Sequence, residues 1–432
     1  MEATRFALVV LDGLGDRPHP DTGGLSPVEA AATPNLDRLV AEGAIGQVTV
    51  VGPGIAPESD AGVFALLGYD PVRDSPGRGV LEALGVGVEL APGDIALRLN
   101  FATSDGTGAI LDSRVGRSLT TAQSRSLAET LTQRDLLADK QVHAEVRATV
   151  GHRGVLWLHP TDGRPLSAEV SNSDPFYEKV GGMGQARSVT DPRSLPVEPL
   201  DASESAARTA AAIETFLRRA GPVLASHSVN ARRALAGQKV ANSLLLRNAG
   251  GVRADPIQSF EQRHGLPGIA VTEMPVERGI ARCLGLGDTF VGPMGPDHEA
   301  GFADRARTTL DALKQAPFVY VHLKGPDEPG HDGNARAKRD VVEEIDRSFF
   351  GPFIAGFDRS TTRLAVTADH ATPCVVKGHS DDPVPLVLVG AGIAAQGPAG
   401  KFGEPLAARG ALGELRGREV LDRLLGHPAA SR

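Results

Sequence analysis

Cysteine is nearly absent from this chain of 432 residues, which has only Cys283 and Cys374. Two thiols in plain contexts cannot build a disulfide framework, and a reducing cytoplasm is the compartment they suggest. No apolar run approaches the ~20 residues that span a bilayer, so no membrane span is expected. Cationic charge is in deficit, with 45 Lys and Arg against 53 Asp and Glu and a net charge of -8. That balance argues against a nucleic-acid partner, because such binding rests on neutralising phosphates. Small anionic ligands stay open, since a few local cations or metal ions outweigh a diffuse negative surface. A secretory leader is also missing from the expectation: "RFALVVLDGLGD" from Arg5 reads as a buried strand, not as a basic head with an apolar core. No internal repeat or sustained low-complexity tract stands out. Apolar content of 41% and charged content of 23% are those of a soluble globular protein. The length suits two domain cores better than one.

Short apolar runs ending in polar or Gly-rich turns carry the clearest structural signal. They are "FALVVLD" (6–12), "GIAVTE" (268–273), "PFVYVHLK" (317–324), "RLAVTAD" (363–369) and "PLVLVG" (385–390). Continuous apolar runs of this length suit strands buried on both faces of a mostly parallel sheet between helices. Amphipathic segments at 203–220 and 335–350 supply helices, the first with Asp201 and Glu204 as a capping box. The alternation predicts an α/β fold. The middle of the chain differs. Stretches such as "LNFATSDGTGAILDSRVGR" and "HAEVRATVGHRGVLWLHPTDGRPL" read as half-exposed strands with polar turns, followed by a Pro-rich connection at 190–204. This predicts a smaller α+β domain at 76–265, inserted into a discontinuous core of 1–75 and 266–432.

Polar residues gather where the buried strands end, which is where open α/β sheets place their ligand sites. Asp12 follows the first strand. Asp327 and His331 lie four apart in "GPDEPGHDG", Asp369 and His370 follow "RLAVT", and His379 sits in "KGHSDDP". Ser59 lies in a Pro/Gly-rich turn before an apolar segment. Each alone has an ordinary reading: a turn aspartate, a solvated loop pair, a strand-end histidine, an N-cap serine. Together they exceed what turn chemistry requires. Carboxylates and imidazoles without thiolates suit a pair of Mn²⁺, Zn²⁺ or Mg²⁺-class ions. Two metals ~3.5–4 Å apart serve phosphoryl transfer by stabilising both the attacking and the leaving oxygens. A serine bound to such a metal becomes a nucleophile without a histidine base.

These stretches resemble the alkaline phosphatase superfamily and, within it, cofactor-independent phosphoglycerate mutases of the archaeal type. The matching segments are "LDGLGDRP", "SPVEAAATPNLDRL", "PESDAGVFALLGYDP", "GRGVLEALG", "LNFAT", "ANSLLLRNAG", "HLKGPDEPGHDG", "TADHATPC" with "KGHSDDPVP", and "FGEPLAARGALGELRG", which run end to end in the family's order. The resemblance implies an alkaline-phosphatase-like core and two divalent ions, with Mn²⁺ the first expectation and Zn²⁺, Mg²⁺ or Co²⁺ the alternatives. One ion would be held by Asp327, His331 and His379, the other by Asp12, Ser59, Asp369 and His370. Ser59 would take the phosphoryl group from 3-phosphoglycerate and return it to the neighbouring hydroxyl, giving 2-phosphoglycerate. Arg114, Arg117 and Arg247 of the inserted domain, with Lys324 and Lys377 beside the ligands, are the candidates for gripping this small phosphorylated carboxylic acid. The expected protein is cytoplasmic and glycolytic, a monomer or homo-oligomer, with no nucleic-acid or membrane partner.

The substrate-handling stretches depart from the family's usual pattern. "DSRVGR" has Ser113 where arginine is usual, "NSDPF" has Phe176 where histidine is usual, and Val63 stands four past Ser59 where His or Asn is common. These changes leave open a paralogue acting as phosphotransferase or phosphatase on another small phosphorylated or phosphonylated acid, and a non-catalytic metal-binding homologue. A dinucleotide-like G-x-G-x-x-A at Gly390, Gly392 and Ala395 is expected to be a turn, because Gly397 and Pro398 follow too soon for the required helix.

Overall fold

A computed structural model describes residues 3–180, 183–187, 189–253, 255–396 and 400–427. The chain divides into two compact units, Met1–Ser75 with Gln258–Arg432, and Pro76–Ile257. The second boundary falls before the short helix Phe260–His264, where the sequence reading put it after. Phe260 is fully buried and stacks on Phe318 at 4.4 Å between ring centroids, which fixes that helix to the core unit.

The core unit is built on an eight-stranded sheet. Its order is Gly287–Phe290, Gly268–Thr272, Phe318–Leu323, Arg5–Leu11, Thr362–Thr367, Val384–Gly390, Ala44–Thr49 and Glu414–Arg416. Only Val384–Gly390 runs antiparallel to its neighbours. The central strand Arg5–Leu11 pairs in parallel on both sides, with Val9 opposite Val321 and Val366. Ala7 to Leu11 are buried whichever way their side chains point, as a strand covered on both faces requires. All five apolar runs of the sequence lie in this one sheet, and the α/β class with a mostly parallel sheet is the observed one. No described helix is long and apolar enough to cross a membrane.

The second unit centres on a five-stranded antiparallel sheet, with Ile95–Ser104 between Arg153–Pro160 and Ser243–Gly251. Leu97 and Leu99 pack there with Leu127 and Leu131 of helix Thr121–Gln133 and with Ile213 and Phe216 of helix Glu204–Ala225. In strand Val142–Ala148, Val142, Ala144 and Val146 are buried and His143 and Glu145 between them are half-buried, as a half-exposed strand should be. Ile95–Ser104 does not follow this pattern. It is buried almost throughout, because helix Arg78–Gly85 covers its other face. A Cβ at Gly79 would lie 2.1 Å from the Ala96 carbonyl oxygen, so only glycine permits that approach.

Helix Glu204–Ala225 is capped by Ser203, whose Oγ accepts from the Ala206 N–H at 3.1 Å. Asp201 instead accepts from Ser203, so the Asp201–Glu204 box does not form. The helix beginning at Ala335 ends at Ile345 and passes through a π-turn, Asp346–Phe350, into Gly351–Gly356. No helix opens at Gly390–Gln396, so the dinucleotide-like pattern is a turn, and residues 397–399 lie outside the described ones.

Candidate metal centre

Parallel register brings the carboxyl ends of three central strands together, with Val10 opposite both His322 and Thr367. Asp12 therefore emerges beside Lys324 and Asp369. Ser59 opens helix Ser59–Leu66. That helix approaches the strand end closely, because a Cβ at Gly62 would lie 2.2 Å from the Asp369 carbonyl oxygen. The short helix Asp327–Asp332 puts Asp327 and His331 one turn apart on one face.

Two groups of ligand-type side chains result, Asp327 with His331 and His379, and Asp12 with Asp369 and His370. Within each, the candidate ligand atoms lie within 4.8 Å of one another. In the first, Asp327 Oδ1 is 3.5 Å from His331 Nε2 and 3.5 Å from His379 Nε2. His379 Nδ1 is 2.8 Å from the Pro57 carbonyl, an acceptor that keeps a proton on Nδ1 and makes Nε2 the nitrogen that faces Asp327. In the second, His370 Nε2 lies 3.6 Å from Asp12 Oδ1 and 3.5 Å from Asp369 Oδ2. Ser59 Oγ is 3.5 Å from Asp12 Oδ1 and 3.4 Å from His370 Nε2. The His370 and His379 rings stack at 3.8 Å between centroids, so the two groups adjoin.

The chemistry of this donor set fits divalent cations. Asp369 is buried, and its Oδ2 lies between His322 Nε2 at 3.4 Å and His370 Nε2 at 3.5 Å, beyond ordinary hydrogen-bond length to either. Burial opposes protonation of His379, yet the Asp327 carboxylate raises it to about 9. Burial and Lys324 oppose protonation of His322, and Asp369 and Asp12 still raise it to about 9. Carboxylates that draw protons onto buried imidazoles in this way would also attract a divalent cation.

His322 and Glu277 were missed by sequence reasoning. Both are buried, and His322 Nε2 lies 3.4 Å from Asp369 Oδ2 while its Nδ1 lies 3.4 Å from Glu277 Oε1. The available signal was a histidine inside the otherwise apolar run "PFVYVHLK". Lys324 Nζ sits 3.2 Å from Asp12 Oδ2 and 2.6 Å from Glu277 Oε1, so it is held at the centre. Lys377 is exposed on its loop, with a left-handed φ of 58°.

The three arginine candidates lie in the second unit. Arg247 is buried, donates to Asp174 at 2.6 Å and lies over the Tyr177 ring at 3.8 Å. Arg114 is half-buried, and Arg117 is exposed with φ 51°. Arg98 sits opposite Arg247 and Arg153 opposite Asn100, so the sheet places two further arginines near Arg247. Burial, then the charges of Arg153, Arg114, Arg98 and Arg247, push His152 down to about 3. Arg114 and Arg247 therefore belong to one cationic cluster. Of the departures, Val63 is fully buried in its helix, Phe176 packs against the apolar cluster of Ala102, Ile110 and Leu245, and Ser113 is half-buried.

Fold and centre together define an α/β protein with two adjoining acid–histidine groups and a serine at the carboxyl edge of a mostly parallel sheet. A family model described as 2,3-bisphosphoglycerate-independent phosphoglycerate mutase matches residues 41–230. The enzyme of that name from Aeropyrum pernix is 44% identical over 96% of this chain and 96% of its own length. That from Methanopyrus kandleri is 38% identical over 97% of this chain and 95% of its own. The solved structure of the cofactor-independent phosphoglycerate mutase from Thermoplasma acidophilum is 32% identical, covers 99% of both chains and superposes with a TM-score of 0.63. The chain belongs to the 2,3-bisphosphoglycerate-independent phosphoglycerate mutase family.

Proposed function

We propose that the protein interconverts 3-phosphoglycerate and 2-phosphoglycerate through a phosphoserine at Ser59. The observation that carries this reading is the position of Ser59, with its Oγ within 3.5 Å of Asp12 and 3.4 Å of His370 at the mouth of the acid–histidine groups. A purely structural metal site has no use for a nucleophile there. Asp327, His331 and His379 would hold one divalent ion and Asp12, Ser59, Asp369 and His370 the other, with Mn²⁺ the first candidate. Bound ions would supply Lewis-acid stabilisation of the attacking and leaving oxygens and lower the serine hydroxyl's pKa.

The chain's own residues do the rest. Ser59 Oγ gives up its proton and forms the new O–P bond as the ester O–P bond to the glycerate oxygen breaks, and that oxygen takes up a proton to leave as a hydroxyl. The Lys324 ammonium, fixed between Asp12 and Glu277, contributes permanent positive charge beside the transferring group. The arginine cluster around Arg247, with Arg114, offers guanidinium forks of the kind that suit the planar geometry of a carboxylate. Glycerate must be retained and turned so that its other hydroxyl takes the phosphoryl group back from Ser59. The proposal includes a glycolytic role in the cytoplasm.

Phosphorus NMR of metal-replete protein with 3-phosphoglycerate tests the reading. Appearance of 2-phosphoglycerate supports it. Inorganic phosphate alone would make the protein a phosphatase, and an unchanged spectrum would assign it another substrate.

A further inference from the structure

We propose that the Thr372 hydroxyl is a positioning group that selects the ligand nitrogen of His370 and ties the two acid–histidine groups into one unit. The inference rests on the metal-centre reading above. Thr372 Oγ1 lies 2.7 Å from Asp327 Oδ1 and 3.1 Å from His370 Nδ1. Asp327 belongs to one group and His370 to the other. A hydroxyl has one proton to donate, and an ionised carboxylate can only accept. The Thr372 proton is therefore committed to Asp327, and Oγ1 is left to accept from His370. That contact exists only if His370 carries its proton on Nδ1. The Nε2 lone pair then points at Asp12, Asp369 and Ser59, where a ligand nitrogen is needed.

Thr372 is held so that this is its fixed geometry. It is fully buried, its N–H donates to the Gly15 carbonyl at 3.0 Å, and its own carbonyl accepts from Lys338 Nζ at 2.9 Å. The same ammonium reaches the Gly13 carbonyl at 2.9 Å and Asp16 Oδ2 at 2.9 Å, which pins the loop after Asp12 to the loop after His370. Gly13 closes the space above the hydroxyl. With φ +59°, a Cβ there would lie 2.6 Å from Thr372 Oγ1 and 2.7 Å from Asp327 Oδ1. Any side chain at residue 13 would therefore collide with both partners of the Thr372–Asp327 hydrogen bond.

The test is equilibrium binding of Mn²⁺ to wild type, Thr372→Val and Thr372→Ser, with thermal unfolding of the metal-free proteins as the folding control. Valine keeps the shape and removes the hydroxyl. Wild type should bind two ions, Thr372→Val should bind them roughly 10- to 100-fold more weakly, as loss of an outer-shell partner does, and Thr372→Ser should recover most of that. Unchanged affinity in Thr372→Val overturns the proposal, as does a serine variant as weak as valine at matched apo stability. Should the valine variant not fold, long-range ¹H–¹⁵N correlation on wild-type apoprotein decides. Neutral His370 protonated on Nδ1 supports the proposal, and protonated on Nε2 refutes it. Wild type that binds no Mn²⁺ would overturn the metal-centre reading and this inference with it, a failure distinct from that of Thr372 alone.

Discussion

Replacing Gly62 by alanine isolates the backbone contact that seats the nucleophile. Gly62 lies one turn after Ser59 on the same helix, and its Cα faces the end of strand Thr362–Thr367. The added methyl would meet the Asp369 carbonyl oxygen at 2.2 Å, its carbon at 2.9 Å and its Cβ at 3.0 Å. Ordinary contact between such atoms is about 3.5 Å, so helix and strand end must separate by roughly 1 Å. Backbone on both sides leaves no flexible side chain to yield instead. Overpacking of this kind costs about 1–3 kcal/mol, partly offset by about 1 kcal/mol of better helix propensity. The loss of activity should be larger than the loss of stability. A 1 Å displacement of Ser59 Oγ from Asp12 and His370 corresponds to about a 100-fold fall in kcat. Steady-state kinetics beside thermal unfolding measure both quantities. Gly221→Ala, in helix Glu204–Ala225 with nothing within 4 Å of its Cβ, is the control and should keep full kcat. Wild-type kcat in Gly62→Ala would refute the argument, because it would mean the helix does not need its close approach to Asp369.

Four other outcomes follow from the same geometry. Ser59→Ala should abolish turnover while leaving the melting temperature close to wild type, and turnover in that variant would end the nucleophile assignment. Chelation should remove activity and added Mn²⁺ restore it, with full activity in a protein shown by mass spectrometry to be metal-free as the contrary result. Arg247→Ala should destabilise the protein by about 3–5 kcal/mol in denaturant titration, because it strands the buried Asp174 carboxylate, so its effect cannot be confined to substrate affinity. Burial pushes Glu404 up to about 7 even though Ser26 and the Asp16 N–H donate to it. The folded state then holds a proton that the unfolded state releases, so this group's contribution falls as pH rises from the ordinary glutamate range of about 4.3 to about 7 and is flat above. Glu404→Gln should remove that slope in denaturation measured across pH.

The sheet was legible because its strands are buried on both faces, and such strands announce themselves as continuous apolar runs. "FALVVLD" and "RLAVTAD" also end in the residues that the parallel register then assembles. Ala44–Thr49 and Glu414–Arg416 carry no such run, and they join the sheet through pairing that only the tertiary fold supplies. The same holds for the site. Asp12, Asp327, Asp369 and the three histidines stand in turns after strands, where polar residues attract notice. His322, Glu277 and Thr372 escape notice because each has a common alternative reading as a core or helix residue, and only proximity gives it a role. Arg98 and Arg153 escape for a related reason, since a charged residue in a strand reads as solvent-facing until its cross-strand partners are known. Asp201 failed as a helix cap because Ser203 was the nearer oxygen to the helix's free N–H groups.

The most direct test of the account is the covalent state of Ser59 during turnover. Metal-replete protein is mixed with 3-phosphoglycerate, quenched in acid, and analysed by intact mass and peptide mapping, with Ser59→Ala alongside. The account predicts a single added phosphoryl group, mapped to Ser59 in wild type and missing from the variant. Formation of 2-phosphoglycerate by a protein that never carries phosphate on Ser59 would contradict it.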